Sequence, residues 1–123
     1  MIISDVGSNV PRLYRTLENG KREVAVLISG GYGAGWSTWN SEFAETLLFH
    51  RELIALVEVL GTGPDSVGRI VEVARELCDF EIYGGGAKGL FVKWVPEGEL
   101  FRVHEYDGSE SLIIFDESNY IRA

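Results

Sequence analysis

Residues 24–40 read Val-Ala-Val-Leu-Ile-Ser-Gly-Gly-Tyr-Gly-Ala-Gly-Trp-Ser-Thr-Trp-Asn. The first five form an apolar run that predicts a buried β-strand, and the chain after residue 40 has the apolar spacing of a helix. The glycine-rich residues 29–40 are therefore expected to connect a strand to a helix. Glycines let a backbone turn tightly and approach a ligand, and the unpaired N–H groups where a helix begins attract anions.

We interpret this connection as a binding site because it combines glycines, hydroxyls and an amide with three aromatic rings that offer flat faces for stacking. The alternative is that the two tryptophans are core anchors and the glycines only relieve crowding. The candidate ligand-binding residues are Tyr32, Gly33, Gly35, Trp36, Ser37, Thr38, Trp39 and Asn40.

The connection matches none of the known phosphate-binding loops. A dinucleotide fingerprint would need a third glycine where Trp36 stands, and a Walker loop would need a lysine where Ser37 and Thr38 stand. It is also not a nucleophile elbow, because the closing glycine is absent. Only the general chemistry of a donor-rich turn flanked by rings remains.

A second candidate site is the stretch of residues 102–110, at the turn of a hairpin predicted from the strands at residues 100–106 and 111–115. A two-residue turn at Asp107-Gly108 would place Glu105 opposite Glu110, and like charges in that arrangement are unfavourable. The mismatch predicts either a longer loop or a carboxylate pair that accepts donors from an amine, a sugar hydroxyl or a cation; a solvated hairpin tip is the simpler alternative. The other face of the hairpin carries three side chains able to contact a polar ligand: Arg102, His104 and Tyr106.

The predicted element order is β-β-α-α-β-β-β-β, which indicates a single α+β domain over residues 1–123, with two helices packed on one antiparallel sheet. A hairpin with a type I′ turn at Asn19-Gly20 would place Glu18 opposite Lys21. One helix is expected from Asn40 or Ser41 to Gly61, with room for a break near residues 49–51, and a second precedes Cys78. The last four strands are predicted at residues 80–83, 90–95, 100–106 and 111–115, whereas residues 1–11 suit a loose arm or an edge.

The net charge of 11 minus 19, or −8, argues against binding of a nucleic acid polymer. The lone Cys78 excludes an internal disulfide, and the sequence has neither a signal-like start nor an apolar run of about 20 residues. We therefore expect a cytoplasmic protein that does not contact the membrane. Because His50 and His104 have no cysteine or carboxylate at a recognised ligand spacing, we predict neither a metal nor another cofactor.

Three motifs together resemble a recurring pattern in small, mostly uncharacterised proteins encoded by bacteriophages. They are Gly31–Asn40, Trp94–Gly98 and Glu105–Glu110, and the resemblance covers residues 24–115 in outline. Such phage proteins include immune-evasion factors, among them oligomeric sponges that sequester cyclic nucleotide or ADP-ribose-derived signals of bacterial defence. The resemblance thus implies an anti-defence role in the host cell cytoplasm, and it assigns no individual residue.

Three functions are compatible with the sequence. The first is a non-catalytic binding protein for a small nucleotide-like anionic ligand, built as a homo-oligomer with its pocket at a subunit boundary. The second is a protein that inhibits a host macromolecule by direct docking of the aromatic loop. The third is a small hydrolase in which Glu105 and Glu110, or His104, act as acid and base.

Overall fold

The computed structural model describes residues 2–3 and 10–114 of the 123-residue chain. Its strands are β1 Ile2–Ile3, β2 Tyr14–Thr16, β3 Arg22–Ser29, β4 Leu90–Pro96, β5 Phe101–Tyr106 and β6 Ser109–Ile114. Its α-helices are α1 Ala44–Phe49, α2 Arg51–Leu60 and α3 Pro64–Cys78, with short 3-10 helices at Ser37–Trp39, Ser41–Phe43 and Gly85–Gly89. The predicted α+β class is confirmed. Within the described ranges, no helix is long and apolar enough to cross a bilayer.

Strand β3 is the centre of the molecule. It lies between β2 and β4 in an antiparallel sheet, and residues 24–29 are all buried. Ala25 and Leu27 face a cluster that includes apolar residues of α2 and α3, whereas Val26 and Ile28 face a second cluster with α1 and β5. Because both faces are covered, the strand is a continuous apolar run rather than an alternating one.

The long helix predicted after residue 40 is divided in two, so residues 10–114 contain three α-helices where two were expected. His50 is extended, with φ −60° and ψ 117°, and its Nδ1 accepts a hydrogen bond from the Glu52 N–H at 3.2 Å. The break predicted near residues 49–51 is therefore confirmed, and Gly61 ends α2 with a φ of 72°. The predicted helix start at Asn40 or Ser41 is wrong, because α1 begins at Ala44 after a 3-10 turn and has no side-chain cap.

The described residues form two antiparallel sheets where the sequence predicted one. Strands β1, β5 and β6 form a separate antiparallel sheet in the order β1-β5-β6. The apolar side of β5, through Phe101 and Val103, packs over the β3 residues Val24, Val26 and Ile28. Strand β5 therefore covers a face of β3 instead of extending its sheet. Residues 2–3 form an edge strand of this sheet, which is one of the two alternatives predicted for residues 1–11. Residues 1, 4–9 and 115 lie outside the described part.

Two local predictions are corrected. The turn between β2 and β3 is closed by Leu17, which donates its N–H to the Lys21 carbonyl at 2.8 Å, so three residues, 18–20, form the turn. Gly20 takes the positive φ, 83°, without Asn19, so the turn is not type I′ and Glu18 does not face Lys21.

The predicted strand at residues 80–83 is an irregular extended segment. Its backbone bonds to side chains: Asn40 pairs with Tyr83 in both directions, and Arg75 donates to the Ile82 carbonyl. An aromatic and branched composition indicates an extended chain, but a strand also needs a neighbouring backbone with which to pair.

The predicted hairpin at the end of the chain is confirmed. Asp107 and Gly108 have φ values of 48° and 88°, as a type I′ turn requires, and Glu105 lies opposite Glu110. A Cβ at position 108 would lie 2.3 Å from the Ala34 backbone nitrogen, so the hairpin tip touches the glycine-rich connection directly.

We predict that Gly108→Ala lowers the free energy of unfolding by about 3 kcal/mol, because a positive φ and a backbone clash act together. Gly20→Ala is the matched control. Gly20 also has a positive φ, but its Cβ would have no atom within 4 Å, and we expect a loss of about 1 kcal/mol. Urea unfolding of both variants measures the difference, and equal losses would show that the hairpin tip is not held against residue 34.

Candidate functional site

The carboxylate of Glu110 is the centre of the glycine-rich connection. Glu110 is 3% exposed and lies on β6. It accepts hydrogen bonds from the N–H groups of Ser29 at 2.8 Å, Trp36 at 2.9 Å and Thr38 at 3.1 Å. The Thr38 hydroxyl donates a fourth at 2.6 Å. A buried carboxylate is stable only when its lone pairs are satisfied in this way.

The anion held by the predicted donor-rich loop is therefore the protein's own carboxylate. Two loop amides and one hydroxyl that the sequence offered to a phosphate bind Glu110 instead. Thr38 donates both its N–H and its hydroxyl hydrogen to Glu110 in this structure, and the prediction that it binds a ligand stays a prediction. Sequence reasoning missed this role because the two residues are 72 positions apart.

Trp36 belongs to the core. Its exposed fraction is 0%, and its indole N–H donates to the Leu47 carbonyl at 3.0 Å. Ser37 is also fully buried, and its hydroxyl has no hydrogen-bond partner among the described residues. Neither side chain presents a surface to a ligand in this structure, so the alternative reading of Trp36 as a core anchor is the one that applies.

The glycines of the connection allow close packing of backbone on backbone. A Cβ at Gly86 would lie 2.5 Å from the Gly35 carbonyl oxygen, and one at Gly35 would lie 2.5 Å from the Thr38 hydroxyl. Gly33 donates its N–H to the Asp107 carbonyl at 2.6 Å. The close approach predicted from the glycines is thus made to other parts of this chain.

Glu105 has its own donors beside Glu110. It accepts hydrogen bonds from the Gly108 N–H at 2.9 Å and from the Trp39 indole N–H at 3.3 Å. The Gly108 bond, then the Trp39 bond, holds the pKa of the Glu105 carboxyl below its usual range. The like-charge pair predicted across the hairpin is formed, and the donors that it required come from the protein itself.

Trp39 differs from Trp36 because it lies at the surface. It is 43% exposed and stacks on Tyr83, which is 49% exposed, with 5.5 Å between ring centroids. Next to this pair, Phe43 stacks on Phe80 at 5.1 Å, and Phe80 is 57% exposed. We call these four rings the aromatic surface.

A cleft of about 290 Å³ joins the two halves of the aromatic surface. Its lining residues are Trp39, Asn40, Ser41, Glu42, Phe43 and Phe80. The Asn40 amide does not point a free group into the cleft, because it donates to the carbonyls of Trp36 and Tyr83 and accepts from the Tyr83 N–H. It fixes the position of Tyr83 instead. Glu42 makes the rim of the cleft acidic.

The aromatic surface contains three rings that sequence reasoning did not assign to a site: Phe43, Phe80 and Tyr83. Phe80 and Tyr83 lie in the segment whose composition predicts a strand, and Tyr83 is bonded to Asn40, 43 residues earlier. The sequence signal is weak, because it consists only of two large aromatic residues within the four positions before Gly84-Gly85-Gly86.

Four other predicted site residues are exposed and lie outside the aromatic surface: Tyr32, Arg102, His104 and Tyr106. Arg102, His104 and Tyr106 share the outer face of β5, as predicted, and Tyr32 is exposed in the connection. His104 and Glu105 are neighbours on a strand and point to opposite faces. The structure therefore does not bring His104 together with Glu105 and Glu110.

Among the described residues, no group of three or more metal-ligating side chains is suited to hold an ion.

Comparison of the chain with protein-family models, curated proteins and solved structures finds no match.

We predict that Glu110→Gln lowers the free energy of unfolding by about 3 kcal/mol, because an amide cannot accept from all four donors and loses the charge. Glu105→Gln is the matched control on the opposite strand, and we expect a smaller loss because Glu105 is more exposed. Urea unfolding compares the two. Equal effects would mean that Glu110 does not hold the connection in place.

We predict that the NMR signal of the Trp39 indole N–H shifts as Glu105 is protonated, with a midpoint below the usual pKa range of glutamic acid. Since the pKa is lowered in the folded state, the stabilisation from Glu105 is present above its unfolded pKa and is lost as the pH falls through the folded value. The Trp36 indole, bonded to the Leu47 carbonyl, is an internal control. A Trp39 transition that survives in Glu105→Gln would contradict the assignment.

Proposed function

We propose that this chain is a non-catalytic binding protein that docks onto another protein through the aromatic surface. The observation that carries the proposal is the pair Trp39 and Tyr83, two stacked rings that are each about half exposed. Exposed contiguous aromatic area is uncommon on a protein surface without a binding role, and Trp and Tyr dominate the energies of protein interfaces.

The aromatic surface is positioned in advance of binding. The Trp39 indole is bonded to Glu105, and Tyr83 is held by Asn40. The backbone of the same connection is fixed by Glu110. A partner would therefore meet rings whose conformational entropy is already restricted, which favours affinity.

The charge near the rings supports a protein partner over a phosphate-bearing ligand. Glu42 lines the cleft and Glu105 contacts Trp39, while loop amides that suited a phosphate are used by Glu110. The protein carries a net charge of −8, which favours approach of a basic target. This is the second of the three functions that the sequence allowed.

A small nucleotide-like ligand is a second candidate, and one observation favours it at a different place. Arg102, His104 and Tyr106 are exposed on one face of β5, and neither Arg102 nor His104 forms an ion pair with a described residue. Such a row offers a guanidinium and an imidazole to a phosphate and a ring to a base. The face is open, so a homo-oligomer with the ligand between two copies is the arrangement that would enclose it.

We expect Trp39→Ala to abolish capture of a partner protein, because it removes a central ring of the docking surface. The test immobilises the protein, exposes it to an extract of the cells that make it, and identifies bound proteins by mass spectrometry. Tyr32→Ala is the matched control, an exposed aromatic residue of the same connection outside the aromatic surface, and it should retain capture.

The circular dichroism and unfolding of each variant must show that it is folded. A protein retained equally by Trp39→Ala and the unsubstituted chain would contradict docking at the aromatic surface. If native mass spectrometry instead shows an intact cyclic nucleotide or ADP-ribose derivative bound, and Arg102→Glu removes it, the second candidate is the correct one.

A further inference from the structure

Phe80 belongs to two neighbouring cavities. On one side it lines the cleft with Trp39, and on the other it lines a larger groove of about 560 Å³ beside α3. The residues of this groove are Gly68, Glu72, Arg75, Glu76, Asp79, Phe80 and Glu81, and we call it the acidic groove. The exposed ring of Phe80 therefore borders both the aromatic surface and the acidic groove, which is lined mainly by charged residues.

The acidic groove has an excess of negative charge. It contains four carboxylates and one guanidinium, and that guanidinium is engaged: Arg75 donates to the Ile82 carbonyl and lies 3.5 Å from a Glu81 oxygen. Glu72 pairs with Arg69 at 2.8 Å. Glu76 and Asp79 form no ion pair with any residue in the described ranges.

Two of the carboxylates, Glu72 and Glu76, belong to α3, and because they are four positions apart they lie on the same side of the helix, one and two turns after Gly68. Asp79 is at the C-terminal cap of α3, and Glu81 lies in the extended segment that follows. The opposite side of α3 is apolar and buried through Ile70 and Ala74. Gly68 has no atom within 4 Å of the place where a Cβ would stand, so the groove is open at this residue.

Resting on the docking function proposed above, we infer that the segment of the partner that occupies this surface is basic. An apolar side chain enters the cleft between Trp39 and Phe80, and Arg or Lys residues next to it enter the acidic groove. Arg and Lys suit this place because their stems pack on an apolar ring while their charged ends reach carboxylates, and a cation is attracted to the face of a phenyl ring.

The charge of the acidic groove disfavours two other occupants, an acidic segment and a second copy of this chain. An acidic segment would meet the carboxylates of the groove, and a second copy of this chain brings a net charge of −8 to an acidic surface. The partner that complements both cavities combines an apolar anchor with positive charge. Attraction of this kind is screened by salt, so the affinity should fall as ionic strength rises.

The probe is a random 12-residue peptide library displayed on ribosomes and selected against the immobilised protein. We expect the enriched sequences to share an apolar or aromatic residue close to two or more Arg or Lys. One enriched peptide is then synthesised with a fluorescent label, and its dissociation constant is measured by anisotropy at low and high salt.

We expect the double variant Glu76→Lys, Glu81→Lys to bind the peptide about tenfold more weakly at low salt, with the difference shrinking at high salt. Glu58→Lys with Glu99→Lys is the matched control, since it makes the same change of charge at exposed positions outside the groove and the cleft. The control should bind nearly as tightly as the unsubstituted protein.

The outcomes separate the two proposals. Neutral or acidic enriched peptides, or a peptide unaffected by the Glu76 and Glu81 reversal but lost in Trp39→Ala, would overturn the basic segment and leave docking at the aromatic surface in place. Binding that survives Trp39→Ala would count against the docking function itself. A selection that enriches no sequence would also overturn the basic segment, because any such peptide is present in the library.

Discussion

The structure depends on one buried carboxylate. Glu110 lies on the last strand described, yet its four hydrogen bonds reach the end of β3 and the connection that follows it. A carboxylate that is 3% exposed would be strongly unfavourable without such donors. The requirement acts in both directions: the loop amides need an acceptor because they are buried, and the carboxylate needs donors. Strand β6 and the loop must therefore come together for either to be stable.

This contact explains the arrangement of the two sheets. The hairpin of β5 and β6 sits against the connection through Glu110, the Gly33 N–H bond to Asp107 and the close approach of Gly108 to Ala34. The apolar side of β5 and residues of α1 then cover one face of β3, while α2 and α3 cover the other. A strand covered on both faces can be apolar throughout, as residues 24–28 of β3 are.

The hydrogen bonds from the connection to Glu110 fix the backbone on which the two tryptophans take different positions. Trp36 follows the buried part of the connection into the core, and Trp39, three residues later, emerges at the surface beside Glu105 and Tyr83. A surface ring on a backbone this firmly held is suited to recognition, because little further ordering is needed when a partner binds. The surrounding carboxylates give the proposed docking surface a negative charge.

Local patterns determined much of the fold. The apolar run of β3, the break at His50, the stop at Gly61 and the two-residue turn at Asp107-Gly108 follow from the preferences of neighbouring residues, and each was predictable. The opposition of Glu105 and Glu110 followed from that turn. Residues 80–83 show the limit of such patterns, since their composition favours a strand but their backbone pairs with Asn40 and Arg75.

By itself, the sequence determined an α+β domain, the place of its central strand and the register of its last hairpin, because these depend on periodicity and turn chemistry over a few residues. Only the tertiary structure decided that the glycine-rich connection holds Glu110, that Trp36 is core and Trp39 surface, and that Phe80 joins two cavities. Each of those facts is a contact between residues far apart in the chain. Such contacts are set by which faces must be buried together and which buried polar groups must be paired, and no local spacing encodes them.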